Sequence, residues 1–314
     1  MNDLPSFLTI SDLSHSQLGE ILEHAAKLKA ERSQSTWKPL AGQTWALLFH
    51  KSSTRTRVSF EVGIHELGGH AMILDQKRMQ SGRGETVEDT AQVLSRYLHG
   101  LIIRTYEHSL IERFAQSATV PVINALTDSF HPCQVVSDLL TLSERWGERG
   151  SLLDSVRGRK VVFYGDCASN MAHSWIIGGA MADMEIVLCG PEGFSPEPFI
   201  DTSLQSAGYP VNYSFTSDPI EAAKGADAIY TDVWVSMGDE QEMEQRLQRM
   251  APYQVNQTVM DSAGKDALFL HCLPAHEGEE VSTEVYQSPK SIVFDQAENR
   301  LHAQKAILSL LGDH

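Results

Sequence analysis

Cysteine is sparse in this chain: four residues in 314, at Cys133, Cys167, Cys189 and Cys272, without a CxxC spacing. That excludes a disulfide-stapled scaffold and a zinc ribbon, and it suits a reduced, cytoplasmic protein. The sequons at Asn212 and Asn256 are then chance matches. No apolar run approaches the ~18–20 residues of a membrane span. The amino-terminal stretch lacks a basic region before an apolar core and is not Arg-rich, so neither a signal nor a transit peptide is expected. Basic residues are also in the minority, 25 against 41 acidic ones, for a net charge of −16. A nucleic-acid-binding face is therefore not expected. An acidic chain repels anions at long range, so an anionic ligand needs a local cationic pocket, and clusters of Arg become informative.

Glycine-rich phosphate loops are missing too. The strand-like run 160–165 is followed by GDCASN, with Gly165 alone near the turn and no G-x-G-x-x-G, which counts against a dinucleotide site. GRGET at 82–86 has no G-K-[ST] after it and is no Walker A loop. HELGGH places His65 and His70 five residues apart. Five residues turn a helix by about 500°, so the two rings would not share a face as zinc ligands do. No metal is expected.

What is present is a globular composition, 42% apolar and 21% charged, with a repeating β–α rhythm. Strands are expected at 44–49, 71–74, 100–104, 120–124, 160–165, 185–190, 211–215, 227–231, 267–270 and 291–295. Helices are expected at 11–31 (capped by Ser11), 54–67, 86–98, 107–116, 132–147 and 297–311. Alternation of this kind predicts an α/β fold of two doubly wound parallel-sheet domains. The charged WGERGS stretch is a natural junction. The domains expected are 1–147, joined by a C-terminal helix 297–314 that returns to it, and 148–296.

Ligands of such sheets bind beyond the carboxyl ends of the strands, so the residues there matter most. After 44–49 come Lys51, Ser53, Thr54, Arg55, Thr56 and Arg57 at a helix entry. Unpaired backbone N–H groups and the positive dipole end favour an oxyanion there. A plain helix start would attract acidic residues, not three cations. Arg104 ends the strand expected at 100–104, and His131-Pro132-Cys133-Gln134 opens a helix after 120–124, with Pro132 suited to the first turn. Asn170 stands at another helix entry, where a carboxamide can bind a polar ligand. Asp232 follows a strand and suits an ammonium group, with Ser236, Met237 and Gly238 in the turn beyond it. Cys272 follows the 267–270 strand, before Leu273-Pro274; by itself it reads as a small buried hydrophobe. Arg300 opens the last helix.

S-T-R-T-R at 53–57, H-P-C-Q at 131–134, D-V-W-V-S-M-G at 232–238 and H-C-L-P at 271–274 resemble, in order and spacing, the signatures of the aspartate/ornithine transcarbamylase family. The S-M-G turn with H-C-L-P is similar to its ornithine-type members. The resemblance implies transfer of the carbamoyl group of carbamoyl phosphate to the δ-amino group of L-ornithine, giving L-citrulline and phosphate in arginine metabolism. It implies that Ser53, Thr54, Arg55, Thr56 and Arg57 hold the phosphate. Arg104, His131 and Gln134, with Pro132 and Cys133 of the same segment, would hold the carbamoyl oxygen, and Arg300 would complete the shell. Gln80 matches a loop that reaches a neighbouring subunit's site. Asn170, Asp232, Ser236 and Met237 would bind ornithine, and Cys272 and Leu273 would lie between both substrates. Arg104, His131, Asp232 and Cys272 would be the catalytic groups, with no cofactor. The resemblance also implies a homotrimer or a multiple of trimers.

Overall fold

A computed structural model of the chain describes residues 4–75, 84–147, 150–235 and 243–312. The chain divides into two units: Met1–Ser155 with Glu298–His314, and Val156–Ala297.

The first unit alternates helices and strands: α1 (His15–Ala30), β1 (Thr44–Phe49), α2 (Thr54–Glu66), β2 (His70–Asp75), α3 (Val87–Leu94), β3 (Gly100–Arg104), α4 (His108–Ser117), β4 (Val122–Leu126), α5 (Pro132–Trp146) and α6 (Leu152–Val156). The four strands form a parallel sheet in the order β2-β1-β3-β4. Parallel strands covered by helices read as continuous apolar runs, and every residue of β3 is buried. The winding reverses between β1 and β3, which puts a crevice at their carboxyl ends.

The second unit runs β5 (Lys160–Tyr164), α7 (Asn170–Met181), β6 (Glu185–Cys189), α8 (Phe199–Ser206), β7 (Ser214–Thr216), α9 (Pro219–Ala223), β8 (Ala228–Thr231), α10 (Met243–Met250), α11 (Gln257–Ser262), β9 (Leu268–His271), α12 (Thr283–Tyr286) and the start of α13 (Val293–Gly312). Its parallel sheet has the order β7-β6-β5-β8-β9, with the reversal between β5 and β8. Val162, Tyr164, Ile229 and Phe269 centre its core. Among the described residues no helix is long and apolar enough to cross a membrane.

From Glu298 onward α13 belongs to the first unit. Asn299 donates to Thr141 Oγ1 at 3.0 Å, Lys305 to Glu66 at 2.7 Å, and Gln43 to the Gly312 carbonyl at 2.7 Å. The helix is thus pinned along its length to α5, α2 and the segment before β1.

Three local expectations are corrected. The first helix starts at His15 and is capped by Ser14, not Ser11. Ser14 and Gln17 form a capping box, each side chain bonding the other's backbone N–H at 3.2 and 2.8 Å, which satisfies two orphan donors. Ser11 lies in a separate 3-10 turn, Ile10–Asp12. The strand expected at 291–295 is a single bridge, Ser291 to Phe269, after which the chain turns into α13. Ile292 and Val293 are apolar because they are buried, and a short apolar run does not distinguish strand from helix. The strand expected at 211–215 is reduced to β7, three residues at the sheet edge.

Candidate functional site

In the first unit the loops after β1, β3 and β4 meet at the switch point. β1 and β3 end in register, Phe49 opposite Arg104. His50 N–H bonds the Arg104 carbonyl at 2.8 Å, and Thr105 N–H the Leu126 carbonyl at 3.0 Å. After β1, Ser53 caps α2 by accepting from Thr56 N–H at 3.3 Å. Its extended backbone lets the chain enter the helix with the first N–H groups unspent. Thr54, Arg55 and Arg57 are exposed around that helix start, and Arg57 Nε lies 3.7 Å from Glu61. Thr56 is buried and receives a hydrogen bond from the Arg300 guanidinium. Lys51, also buried, pairs with Asp128 and sits 4.3 Å over the Tyr106 ring.

Arg104, His131, Gln134 and Arg300 are all buried here. Burial, then the charges of Arg300 and Arg104, hold the His131 imidazole well below the usual histidine range. It is therefore a neutral hydrogen-bonding group beside two permanent cations. Pro132 occupies the first turn of α5, where its missing N–H costs nothing. The Cys133 thiol donates to the Asn124 carbonyl at 3.4 Å, and burial pushes its pKa up to about 12. It packs as a small hydrophobe. Gln134 Nε2 donates to Asp138 Oδ1 at 2.8 Å, while its Oε1 is buried with no hydrogen-bond partner among the described residues. A carboxylate only accepts, so the amide cannot face the other way.

In the second unit, Gly165 leaves β5 at φ +114, where a side chain would be strained and would press on Trp234 at 3.3 Å. Asp166 pairs with Arg246, which also donates to the Trp234 carbonyl. This ties the loop after β5 to the one after β8. Ser169 caps α7, accepting from Ala172 N–H at 3.3 Å, so Asn170 is its first residue. After β8, Asp232 Oδ1 accepts from Val233 N–H at 2.8 Å and from Cys272 Sγ, just past β9, at 2.9 Å. Asp232, His271 and Cys272 offer potential metal donors within 4.8 Å of one another. Both ring nitrogens of His271 are already taken, by Leu273 N–H and Glu280, so the group is a hydrogen-bonded cluster rather than an open metal cradle.

Two family models cover these units in turn. The carbamoyl-P binding domain of aspartate/ornithine carbamoyltransferase matches residues 5–144, and the Asp/Orn binding domain matches 157–311. The chain belongs to the aspartate/ornithine carbamoyltransferase family. It is 49% identical to an ornithine carbamoyltransferase of Methanocorpusculum labreanum, over 96% of each chain. It is 47% identical to that of Methanoculleus marisnigri, over 96% of this chain and 95% of the relative. The solved ornithine carbamoyltransferase of Pyrococcus furiosus superposes with a TM-score of 0.89 at 44% identity, covering 98% of this chain and 97% of the other.

Of the carbamoyltransferase residues singled out in the sequence, Ser53, Thr54, Arg55, Thr56, Arg57, Arg104, His131, Pro132, Cys133, Gln134 and Arg300 lie in the first unit, around the carboxyl ends of its strands. Asn170, Asp232, Cys272 and Leu273 lie in the second, at the corresponding edge of its own sheet. Gln80, Ser236 and Met237 lie outside the described residues. Sequence reasoning missed Asp138, Glu280 and the Asp166–Arg246 pair. Asp138 alone left a signal, one helical turn beyond Gln134. A cavity of about 770 Å³ between α1 and α13, walled by His24, Trp37 and Leu310, touches none of the site residues.

Proposed function

We propose that this chain transfers the carbamoyl group of carbamoyl phosphate to the δ-amino group of L-ornithine, releasing L-citrulline and phosphate. The observation that carries this reading is the buried set of Arg104, Arg300 and neutral His131, whose imidazole feels the charge of both guanidinium groups. In a chain of net charge −16, such a cluster at the carboxyl edge of a sheet is an anion site.

Ser53, Thr54, Arg55, Thr56 and Arg57 hold the phosphate at the start of α2, where N–H groups, hydroxyls and guanidinium groups converge. Arg104 and His131 donate to the carbamoyl oxygen. Gln134 takes a different role from that expected. With Nε2 committed to Asp138, its free acceptor Oε1 matches the carbamoyl NH2 rather than the oxygen. Arg300 joins both halves of this shell through Thr56. Pro132 and Cys133 set the backbone of the turn. We assign the α-ammonium of ornithine to Asp232, its amino-acid head also to Asn170, Ser236 and Met237, and a role towards both substrates to Cys272 and Leu273.

Phosphate is already a good leaving group, so neither a metal nor a covalent nucleophile is needed. The neutral δ-amine attacks the carbamoyl carbon. Charge grows first on the carbonyl oxygen, then on the departing phosphate, and preplaced donors stabilise both. The free amine has a pKa near that of lysine, ~10.4, so desolvation and neighbouring cations must favour its neutral form. The Cys272–Asp232 hydrogen bond offers a path for the proton that the amine loses.

Arginine metabolism in the cytoplasm is the setting this reading implies. The same reading implies assembly as a homotrimer or a multiple of trimers. The test is product formation from carbamoyl phosphate with ornithine, putrescine, acetylornithine or aspartate offered separately. Citrulline from ornithine alone is expected. Turnover only with another acceptor overturns the role given to Asp232, and turnover with none overturns catalysis.

A further inference from the structure

Past β9 the chain makes a turn, Cys272-Leu273-Pro274, whose shape is set from within by two fully buried side chains. His271 Nδ1 accepts from Leu273 N–H at 2.8 Å, and His271 Nε2 lies 3.1 Å from Glu280 Oε1. A backbone N–H only donates, so Nδ1 is unprotonated and the ring proton sits on Nε2, pointing at the carboxylate. Glu280 Oε1 accepts a second hydrogen bond, from His276 N–H at 2.6 Å. His271 and Glu280 are both 0% exposed. A buried carboxylate is costly unless its partners compensate it; those of Oε1 lie on both sides of the turn, while Oε2 has the His276 ring 3.7 Å away and no hydrogen bond among the described residues. Glu280 is held in turn by its own backbone: its carbonyl accepts from Val255 N–H at 2.9 Å, and the neighbouring Gly278 N–H bonds the Val281 carbonyl at 2.8 Å.

Leu273 sits at φ +61, a left-handed conformation that a leucine adopts only when its surroundings impose it. One constraint is the His271 acceptor on its N–H. Cys272, between the two, is the residue whose thiol reaches Asp232.

We infer that Glu280 is a positioning residue for the carbamoyl transfer: by accepting from His271 Nε2–H it fixes the imidazole tautomer whose Nδ1 holds Leu273, and so it sets Cys272 and Leu273 for reaction. The inference rests on the function proposed above. Neither residue of the pair is placed against substrate; both act through the turn.

A double-mutant cycle tests it. Glu280→Gln keeps an acceptor oxygen for both partners and retains kcat within about threefold. Glu280→Ala removes the acceptor and lowers kcat at least thirtyfold, with KM for both substrates within about threefold. His271→Asn supplies a side-chain oxygen where Nδ1 stood, able to accept from Leu273 N–H as in an Asx turn, without reaching Glu280. In that background Glu280→Ala has no further effect on kcat. An equal loss in both backgrounds means that Glu280 merely braces the loop through His276, and overturns the inference. Loss of activity in Glu280→Gln equal to that in Glu280→Ala overturns it as well. If Glu280→Ala does not fold, Glu280→Asp, one methylene short of His271, takes its place in the cycle.

A second readout separates this inference from the function reading. Cys272 is the one partly exposed thiol of the four, so its alkylation by iodoacetamide reports the turn without substrate. A tenfold change in that rate in Glu280→Ala, absent in Glu280→Gln, is expected. It supports the clamp even if the wild-type enzyme makes no citrulline, whereas an unchanged rate overturns the clamp whatever the activity.

Discussion

Gln134 and Asp138 stand one turn apart on α5, and the amide of the first donates to the carboxylate of the second at 2.8 Å, wholly buried. The bond decides which end of the amide is left for a ligand. The remaining oxygen accepts, and of the groups on a carbamoyl phosphate only the NH2 donates. Asp138→Leu, branched alike at Cγ but without an acceptor, leaves the amide free to turn. A hydrogen bond of this kind is worth about 1 kcal/mol, so KM for carbamoyl phosphate is expected to rise about five- to tenfold, with a smaller change in kcat. Steady-state kinetics checks this, and an unchanged KM means the amide does not contact the carbamoyl group.

The Cys272 thiol and Asp232 are brought together by neighbouring strands, β9 and β8, that end side by side in the second sheet. If the thiol relays the proton of the attacking amine, Cys272→Ser keeps a donor but changes its acidity. General acid–base groups typically contribute 10²–10⁴, so kcat should fall at least about tenfold with a displaced pH–rate profile. A serine enzyme with the parental rate and profile removes Cys272 from the relay.

Much of this site was legible in the sequence because its residues follow strands, and parallel sheets place ligands there. Ser53 through Arg57 announced themselves as cations at a helix start, and His131-Pro132 as a turn into a helix. What the sequence hid were relations across long separations. Arg300 reaches Thr56 from 244 residues away, and nothing in either stretch alone signals that bond. Glu280 sits in an acidic run, HEGEE, that reads as solvated surface, yet its carboxylate is buried beneath the turn it supports. The misplaced strand at 291–295 has a similar cause. Ile292 and Val293 are apolar for burial, and only the sheet's edge at Ser291 shows that pairing stops there.

Gly100 offers a stability prediction independent of the chemistry. It begins β3 beside β1, and a Cβ there would lie 2.3 Å from the Trp45 ring, itself fully buried. Neither the strand backbone nor the indole, whose Nε1–H is held by Gln43 at 2.9 Å, has room to yield. Overpacking of this kind costs about 1–3 kcal/mol, sometimes more. Gly100→Ala should therefore lower the urea midpoint by that equivalent, while Gly42→Ala, with open space but φ +81, loses about 1 kcal/mol from backbone strain alone. Equal midpoints for Gly100→Ala and wild type would falsify the packing argument.

Acid stability should be governed in part by His302, on the face of α13 that packs into the first unit. Burial, then the charges of Lys305, Lys29 and Arg32, lower its pKa to about 4, with Glu66 opposing. Its ring is 0% exposed, and the nearest carboxylate on its own helix is Glu298 at 3.8 Å. Between pH 6.5 and 4 the unfolded chain binds a proton at this position that the folded chain refuses, so stability rises with pH across that window and is lost as pH falls through it. Its full contribution is up to about 3 kcal/mol. His108, also lowered to about 4 by burial, adds a second proton of the same sign. Urea unfolding from pH 7 to 4.5 should show a His302→Leu variant losing less stability with acid than wild type, by up to one proton's worth of slope. Parallel curves for the two proteins mean that His302 is not held neutral in the fold.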